Sequence, residues 1–464
     1  MEVDMTKGNP FLVILKFMIP LFIGNMFQQL YNMVDTIIVG RYVGQNALAA
    51  VGSTGTIMFL IFGFATGLTT GFTVLTSQSF GAGDRARVKR SVANGIILSV
   101  IVVIIMTIFS EAAMKPLLRI MNTPADIFDD AYSYISVICY GMFACVFYNL
   151  FSSYLRAVGN SKIPLYFLVL SAGLNIVLDL YLIIVCNMGV AGAALATVIS
   201  QGVSAVCCLA YIYWKVPVIR PERSDWKINL QDSRAQLVIG FPMAIQFAIT
   251  ASGTMIMQSA INLFGSSAVA AFTAASKLQN LITQGNPAIG QAMATYCGQN
   301  YGKGDYDRLK KGVKSAIISI CIYAVIAAGL CVLLLWNCFG IFFSGDADIA
   351  AMMPWAEKYI YLCALFYIPL GIIFILRNAI QGCGYGFLPM MGGLVEMGSR
   401  LVVAVIAVKM MSYTLTCFCD PAAWICTAVY LLVCYYFVMK DIRRKIEERN
   451  NRGTEIRPED RSIL

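Results

Sequence analysis

Asp35 lies in the stretch YNMVDTIIVG, inside an apolar run that begins near Phe11. A carboxylate in hydrocarbon is costly, so it must face protein or water, and it is a functional candidate by default. Asn25, Gln28, Asn32, Asp35 and Val39 recur at three- and four-residue spacing, which puts them on one face of a helix. A second polar pair, Asn175 and Asp179, stands one turn apart in LNIVLDLYLI, and Thr197 lies in GAALATVIS. Two carboxylates, an amide and a hydroxyl are hard oxygen donors that suit a proton or Na⁺. Brought together in a dry pocket, the carboxylates repel unless a proton or a cation lies between them. The chain has no histidine, so a proton relay would have to use carboxylates or water. Each residue also has a plainer reading: Asp35 and Asp179 as hydrogen-bond anchors between helices, Thr197 as a small residue that lets helices approach.

The elements that must position these groups are transmembrane helices. The chain has 464 residues, 59% hydrophobic and only 13% charged. Apolar runs long enough to span a bilayer recur from end to end. They define an all-α integral membrane protein with twelve helices, at 12–39, 48–77, 92–114, 130–156, 164–186, 190–214, 237–264, 269–297, 313–338, 353–381, 388–411 and 420–440. The runs are too long for barrel strands and do not alternate. Lysine and arginine cluster in one set of loops: Arg85 to Arg90, Lys215 to Arg234, Lys303 to Lys314 and the tail from Lys440. The positive-inside rule makes these loops, and both termini, cytoplasmic. The net charge of +9 is thus a topology signal and no sign of nucleic-acid binding. The fifteen cysteines fall almost entirely inside helices, with no zinc-site spacing.

The chain repeats itself. IPLFIGNMFQQLYNMVDTIIVG, from Ile19, aligns with FPMAIQFAITASGTMIMQSAIN, from Phe241; Pro20 pairs with Pro242, and Gly44 with Gly265. QSFGAGD (78–84) pairs with QNYGKGD (299–305), and LRAVGNS (155–161) echoes NAIQGCG (378–384) more weakly. Six helices per repeat is an even number, so the halves enter the membrane the same way round, as two lobes related by a pseudo-twofold axis along the membrane normal. The expected division is an N-lobe at 1–214, a cytoplasmic linker at 215–236, a C-lobe at 237–440 and a basic tail at 441–464. The halves differ at the carboxylate: the second copy of the first helix has Thr250, Thr254 and Met257 along that face.

Other charges in the helices have local readings. Glu396 and Arg400 are spaced for a self-neutralising i,i+4 pair. Lys277 would snorkel, and Arg377, near a helix end, would face the cytoplasm. Pro20 removes a backbone donor inside the first helix, so a kink is expected there, about 22 Å from Asp35 along an ideal helix. By helix face and side-chain type, Gln28, Tyr31, Asn32, Met255, Gln258 and Gln284 are candidates to line a substrate cavity.

The motifs IPLFIGNMFQQLYNMVDTIIVG, GQNALAAVG, FGAGD and LNIVLDLYLI, in repeated six-helix halves, resemble the multidrug and toxic compound extrusion (MATE) transporters, in the DinF-like bacterial branch with the MepA-type exporters. The resemblance implies two lobes in a V around a central cavity. It implies export of drugs or metabolites, organic cations or other amphipathic molecules, in exchange for inward H⁺ or Na⁺. No cofactor beyond that ion is expected. On the matching positions, the N-lobe cation site falls on Asp35, Asn175, Asp179 and Thr197, with Ala193 as the small residue before the threonine. These same residues would ligate the metal if the ion is Na⁺, and the bend would fall on Pro20. Another branch carries acids on the seventh and tenth helices; here the seventh has Gln258 and no acid. The implied setting is a bacterial plasma membrane, and one chain holds both lobes, so a monomer suffices. The competing reading is a lipid or lipid-linked oligosaccharide flippase of the same superfamily, which would need a basic cavity. An intramembrane enzyme would need a nucleophile, base or metal cluster that the sequence does not offer.

Overall fold

The computed structural model describes residues 4–121, 123–339 and 349–454. Among them there are sixteen α-helices and no strand. The first three spans are α1 (Pro10–Tyr42), α2 (Gln45–Gly81) and α3 (Arg85–Ile120). The fourth is bent by 47° between α4 (Ala125–Tyr140) and α5 (Met142–Ala157). The fifth is α6 (Lys162–Leu180), extended by a π-helical turn (Tyr181–Val185), and α7 (Gly189–Lys215) is the sixth.

The second half repeats this order. It comprises α8 (Leu230–Ile261), α9 (Ser266–Ile282) followed by α10 (Gly285–Lys303), and α11 (Tyr306–Cys338). Next come α12 (Ile349–Ala364), bent by 52° against α13 (Tyr367–Gly382), and α14 (Phe387–Lys409). The short α15 (Tyr413–Cys417) leads into α16 (Cys419–Thr454). Among the described residues, nine helices are individually long and apolar enough to cross a bilayer, and the two bent pairs raise this to eleven. The twelfth span is α9 with α10, built largely from alanine, glycine and amides, which pack closely against neighbouring helices.

The repeat is written in the backbone. Left-handed residues pair across the halves: Gly44 with Gly265, Gly83 with Gly304, Gly159 with Gly384, and Asn187 with Met411. The third pair moves the weakest sequence echo two residues along, from Gly382 to Gly384. Asp84 and Asp305 play matching parts: each side chain caps the next helix, accepting from Arg87 N at 2.9 Å and from Arg308 N at 3.0 Å. These caps start α3 and α11 about two turns before the apolar runs that reveal them in the sequence.

The halves meet at the end that carries the basic loops. A Cβ at Gly81 would run into the Gln299 backbone, and one at Gly302 into that of Gln78, so only glycine allows this approach. Around it, Gln78 Nε2 donates to Gly382 O at 2.9 Å, Ser77 Oγ to Thr295 O at 3.3 Å, and Gln299 Nε2 to Ala157 O at 2.8 Å. The segment before α1 is drawn into this seal. Met5 N donates to Gln299 Oε1 at 3.2 Å, and Arg308 holds the carbonyls of Met5, Lys7 and Gly8.

The connection between the halves lies along α3. Lys89 pairs with Glu222, and Arg87 approaches buried Asp232 at 3.1 Å. Helix α8 already begins at Leu230, inside the stretch expected as linker, because Asn229 caps it. The stretch expected as a basic tail begins as the helical end of α16, and 455–464 lie outside the described residues.

Candidate functional site: a carboxylate pair above a central cavity

Asp35 comes from α1, Asn175 and Asp179 from α6, and Thr197 from α7. The structure brings all four together. The carboxyls of Asp35 and Asp179 lie close together. With its amide nitrogen toward Asp179, Asn175 donates to Asp179 Oδ2 at 3.0 Å and accepts from Thr197 N at 3.3 Å. Asn175 and Asp179 are fully buried. One oxygen of each carboxyl, Asp35 Oδ1 and Asp179 Oδ1, is buried without a partner among the described residues. Unmatched buried acceptors are expensive, and a proton or a small cation would satisfy both.

Ala193 is buried in an apolar cluster with Ile38, Val39, Tyr134 and Ile183, where its small side chain lets α7 approach. Two residues of this site were not anticipated. Tyr31, expected on the cavity wall, instead points toward the Asp35, Asp179 and Thr197 group. It sits one turn before Asp35, so it follows the carboxylate. Tyr134 of α4 packs in the same apolar cluster as Ile38 and Val39, the turn of α1 that follows Asp35. A π-turn begins two residues after Asp179, at Tyr181; such bulges recur at functional positions, and nothing in LDLYLI announces one.

Toward the basic end lies a cavity of about 540 Å³, within the range of small-molecule sites. It is walled by both halves: Asn25 and Gln28 of α1, Leu165 and Leu168 of α6, Phe247 and Thr250 of α8, and Asn378 and Gln381 of α13. Pro20 also lines it, and α1 runs through Pro20 without a break. Of the residues expected on a cavity wall, Gln28 is there. Tyr31, Asn32, Met255, Gln258 and Gln284 do not line this cavity. Asn32 and Met255 are exposed beyond its far end, Gln258 bonds its own helix neighbour Asn262 at 2.9 Å, and Gln284 stands at the N-cap position of α10 without a capping bond. A helical face continues past the cavity it lines, and face alone does not say where the cavity ends.

One polar stripe of α1 joins the two features. Asn25 and Gln28 face the cavity, and Asp35 reaches the carboxylate pair, about 15 Å along the helix from Asn25. Helix α6 spans the same gap, from Pro164 at the cavity to Asp179.

In the second half, Arg377 is not at a helix end facing water. It is 7% exposed and donates to Glu396 Oε2 at 2.8 Å. Glu396 also meets Arg400 at 3.0 Å, and Arg400 Nε reaches Asp420 at 2.9 Å. The expected i,i+4 pair is thus the centre of a buried four-member network across α13, α14 and α16. Lys277 is exposed.

A family model described as MatE matches residues 20–181 and 242–406, one stretch in each half. The chain belongs to the MatE family. It is similar to the probable multidrug resistance protein YpnP of Bacillus subtilis (strain 168), with 30% identity over 391 residues, covering 82% of this chain and 84% of that one. It is also similar to the multidrug export protein MepA of Staphylococcus saprophyticus, 24% identical over 391 residues, covering 82% and 83%. Among solved structures, a MATE in complex with MaL6 aligns at a TM-score of 0.88 with 22% identity, over 96% of this chain and 99% of that one. At that identity the likeness speaks to the fold, which is the twelve-helix, two-lobed MATE architecture. A multi-pass membrane protein of the MATE family accounts for both the doubled backbone and the cavity between its halves.

Proposed function

We propose that this MATE protein is a secondary antiporter that exports amphipathic small molecules in exchange for inward H⁺ or Na⁺. The observation that carries this reading is the meeting of Asp35 and Asp179, each with an unpartnered buried oxygen, on helices that also wall the cavity. The relatives named as multidrug resistance and export proteins support the substrate class. The basic end is read as cytoplasmic, which makes the sealed state outward-facing and puts both termini inside.

When H⁺ or Na⁺ enters between Asp35 and Asp179, it removes their mutual repulsion and gives their free oxygens a partner. Asn175, itself held by Thr197 N, fixes Asp179 in place, so Asp35 and α1 supply the movement. That movement reaches Asn25 and Gln28 and changes the cavity wall. Coupling needs only that ion and substrate favour different states of one equilibrium. Pro20, which leaves a gap in the α1 ladder beside the cavity, is the proposed hinge.

The test is dye efflux from proteoliposomes with ΔpH and ΔpNa imposed separately. Efflux driven by one gradient, and lost in Asp179→Asn, is the expected result. Flux indifferent to both gradients would instead favour a flippase, a reading to which the arginines on the cavity wall lend some support.

A further inference from the structure

The cavity wall has an unexpected polarity. Among the described residues, the charged groups that line it are Arg156 and Arg377, and no carboxylate does. The two arginines differ. The Arg377 charge is balanced, because the network Arg377, Glu396, Arg400 and Asp420 contains two bases and two acids. Its Nε is nonetheless buried and unpartnered among the described residues. Arg156 pairs with no acid among the described residues. Its one hydrogen-bond partner among the described residues is Ser153 Oγ, which accepts from Nη2 at 2.7 Å. The residue is partly buried in the last turn of α5, it lines the cavity, and no ion pair engages it among the described residues. The rest of the polar wall near it consists of neutral groups: Asn149, Ser153, Asn378 and Gln381. The apolar wall is Leu165, Leu168, Met243, Phe247 and Phe374.

An uncompensated guanidinium in a cavity of low dielectric repels cations and attracts anions far more strongly than it would in water. Its planar fork matches carboxylate, sulfonate and phosphate oxygens. We infer that the cavity takes an organic anion, an apolar body with one acidic head, with Arg156 as the head-group ligand and Arg377 Nε as a second donor. This deepens the antiporter reading by naming the charge of its substrate, and it departs from the organic cations that the sequence resemblance implies. An acidic lipid and a soluble organic acid share this chemistry. The inference also fits the coupling: a cation moving in and an anion moving out both run down an inside-negative potential.

The test compares two dyes with the same xanthene core, sulforhodamine B with net negative charge and rhodamine 6G with positive charge. Binding is measured by fluorescence anisotropy to the full chain in phosphatidylcholine nanodiscs, without any gradient. Sulforhodamine B should bind more tightly, and Arg156→Gln should weaken it on the order of ten- to hundredfold. Arg156→Lys, which keeps the charge, should retain most of the affinity and guards against a folding defect. Repeating the titration with phosphatidylglycerol separates the sources: competition points to an acidic lipid, its absence to a soluble acid, and either supports an anion site. Tighter rhodamine 6G binding, unchanged by Arg156→Gln, would overturn the inference. Because no gradient is used, anion binding without coupled efflux would leave this inference standing and remove only the antiporter reading.

Discussion

Asp35 on α1 and Asp179 on α6 meet carboxyl to carboxyl, and each keeps one buried oxygen without a donor. Two ionised carboxylates in that position repel each other unless a proton or cation lies between them, and the proposed coupling rests on that repulsion.

Asn175 is the fixed partner of this pair, bridging Asp179 and Thr197. Replacing it with leucine should leave Asp179 free to turn. Gradient-driven dye flux should fall by about ten- to a hundredfold, the usual loss when a positioning partner is removed from an ion site. Dye binding without a gradient should change little. Initial rates in proteoliposomes, set beside equilibrium binding, check this.

The glycines of the seal give a steric prediction. Gly81→Val or Gly302→Val places side-chain carbons where the opposite backbone lies. Neither variant should be able to close at the basic end. Spin-label distances across that end should lengthen, and transport should stop while the protein still reaches the membrane.

Gln299 donates to Ala157 across the lobes and accepts from Met5. Gln299→Leu should destabilise the sealed state by about 1–3 kcal/mol, the penalty for leaving buried partners unmet. That shifts the equilibrium toward the opposite state without blocking either one. Cysteine accessibility at the floor of the cavity, such as at position 153, should rise.

Glu396 sits between Arg377 and Arg400 with 6% exposure. Glu396→Gln should cost about 3–5 kcal/mol, since it strands buried charge. Replacing Arg377, Glu396 and Arg400 together with apolar residues of similar size should recover much of that loss. Thermal unfolding in detergent separates the two.

Pro20→Ala restores a backbone donor in α1. If Pro20 is the hinge, exchange between states should slow while the protein becomes no less stable. An unchanged transport rate would assign Pro20 to packing alone.

Much of this was legible in the sequence. Lipid demands helices, so apolar length alone exposes most of the spans, and the cost of charge in lipid singles out Asp35 and Asp179. The doubled glycines read directly as turns. The parts that stayed hidden depend on which helix faces which. Arg377 looked like a terminal residue because its partner Glu396 lies on the next helix, and Arg156 looked ordinary because nothing in LRAVGNS says that no acid will face it. Tyr31 and Asn32 shared a face with true wall residues but lay beyond the cavity's end. The α9–α10 span is less apolar than its peers because it is packed against protein.

The central claim is that the Asp35–Asp179 pair links ion to substrate, and linkage is most directly read as binding. Dye affinity would be measured in nanodiscs across pH at fixed Na⁺, and across Na⁺ at fixed pH, for wild type and Asp35→Asn. Affinity in the wild type should fall as one of the two ions rises, and Asp35→Asn should flatten this dependence. The same ion dependence in both proteins would contradict the claim and leave Asp35 as a structural anchor.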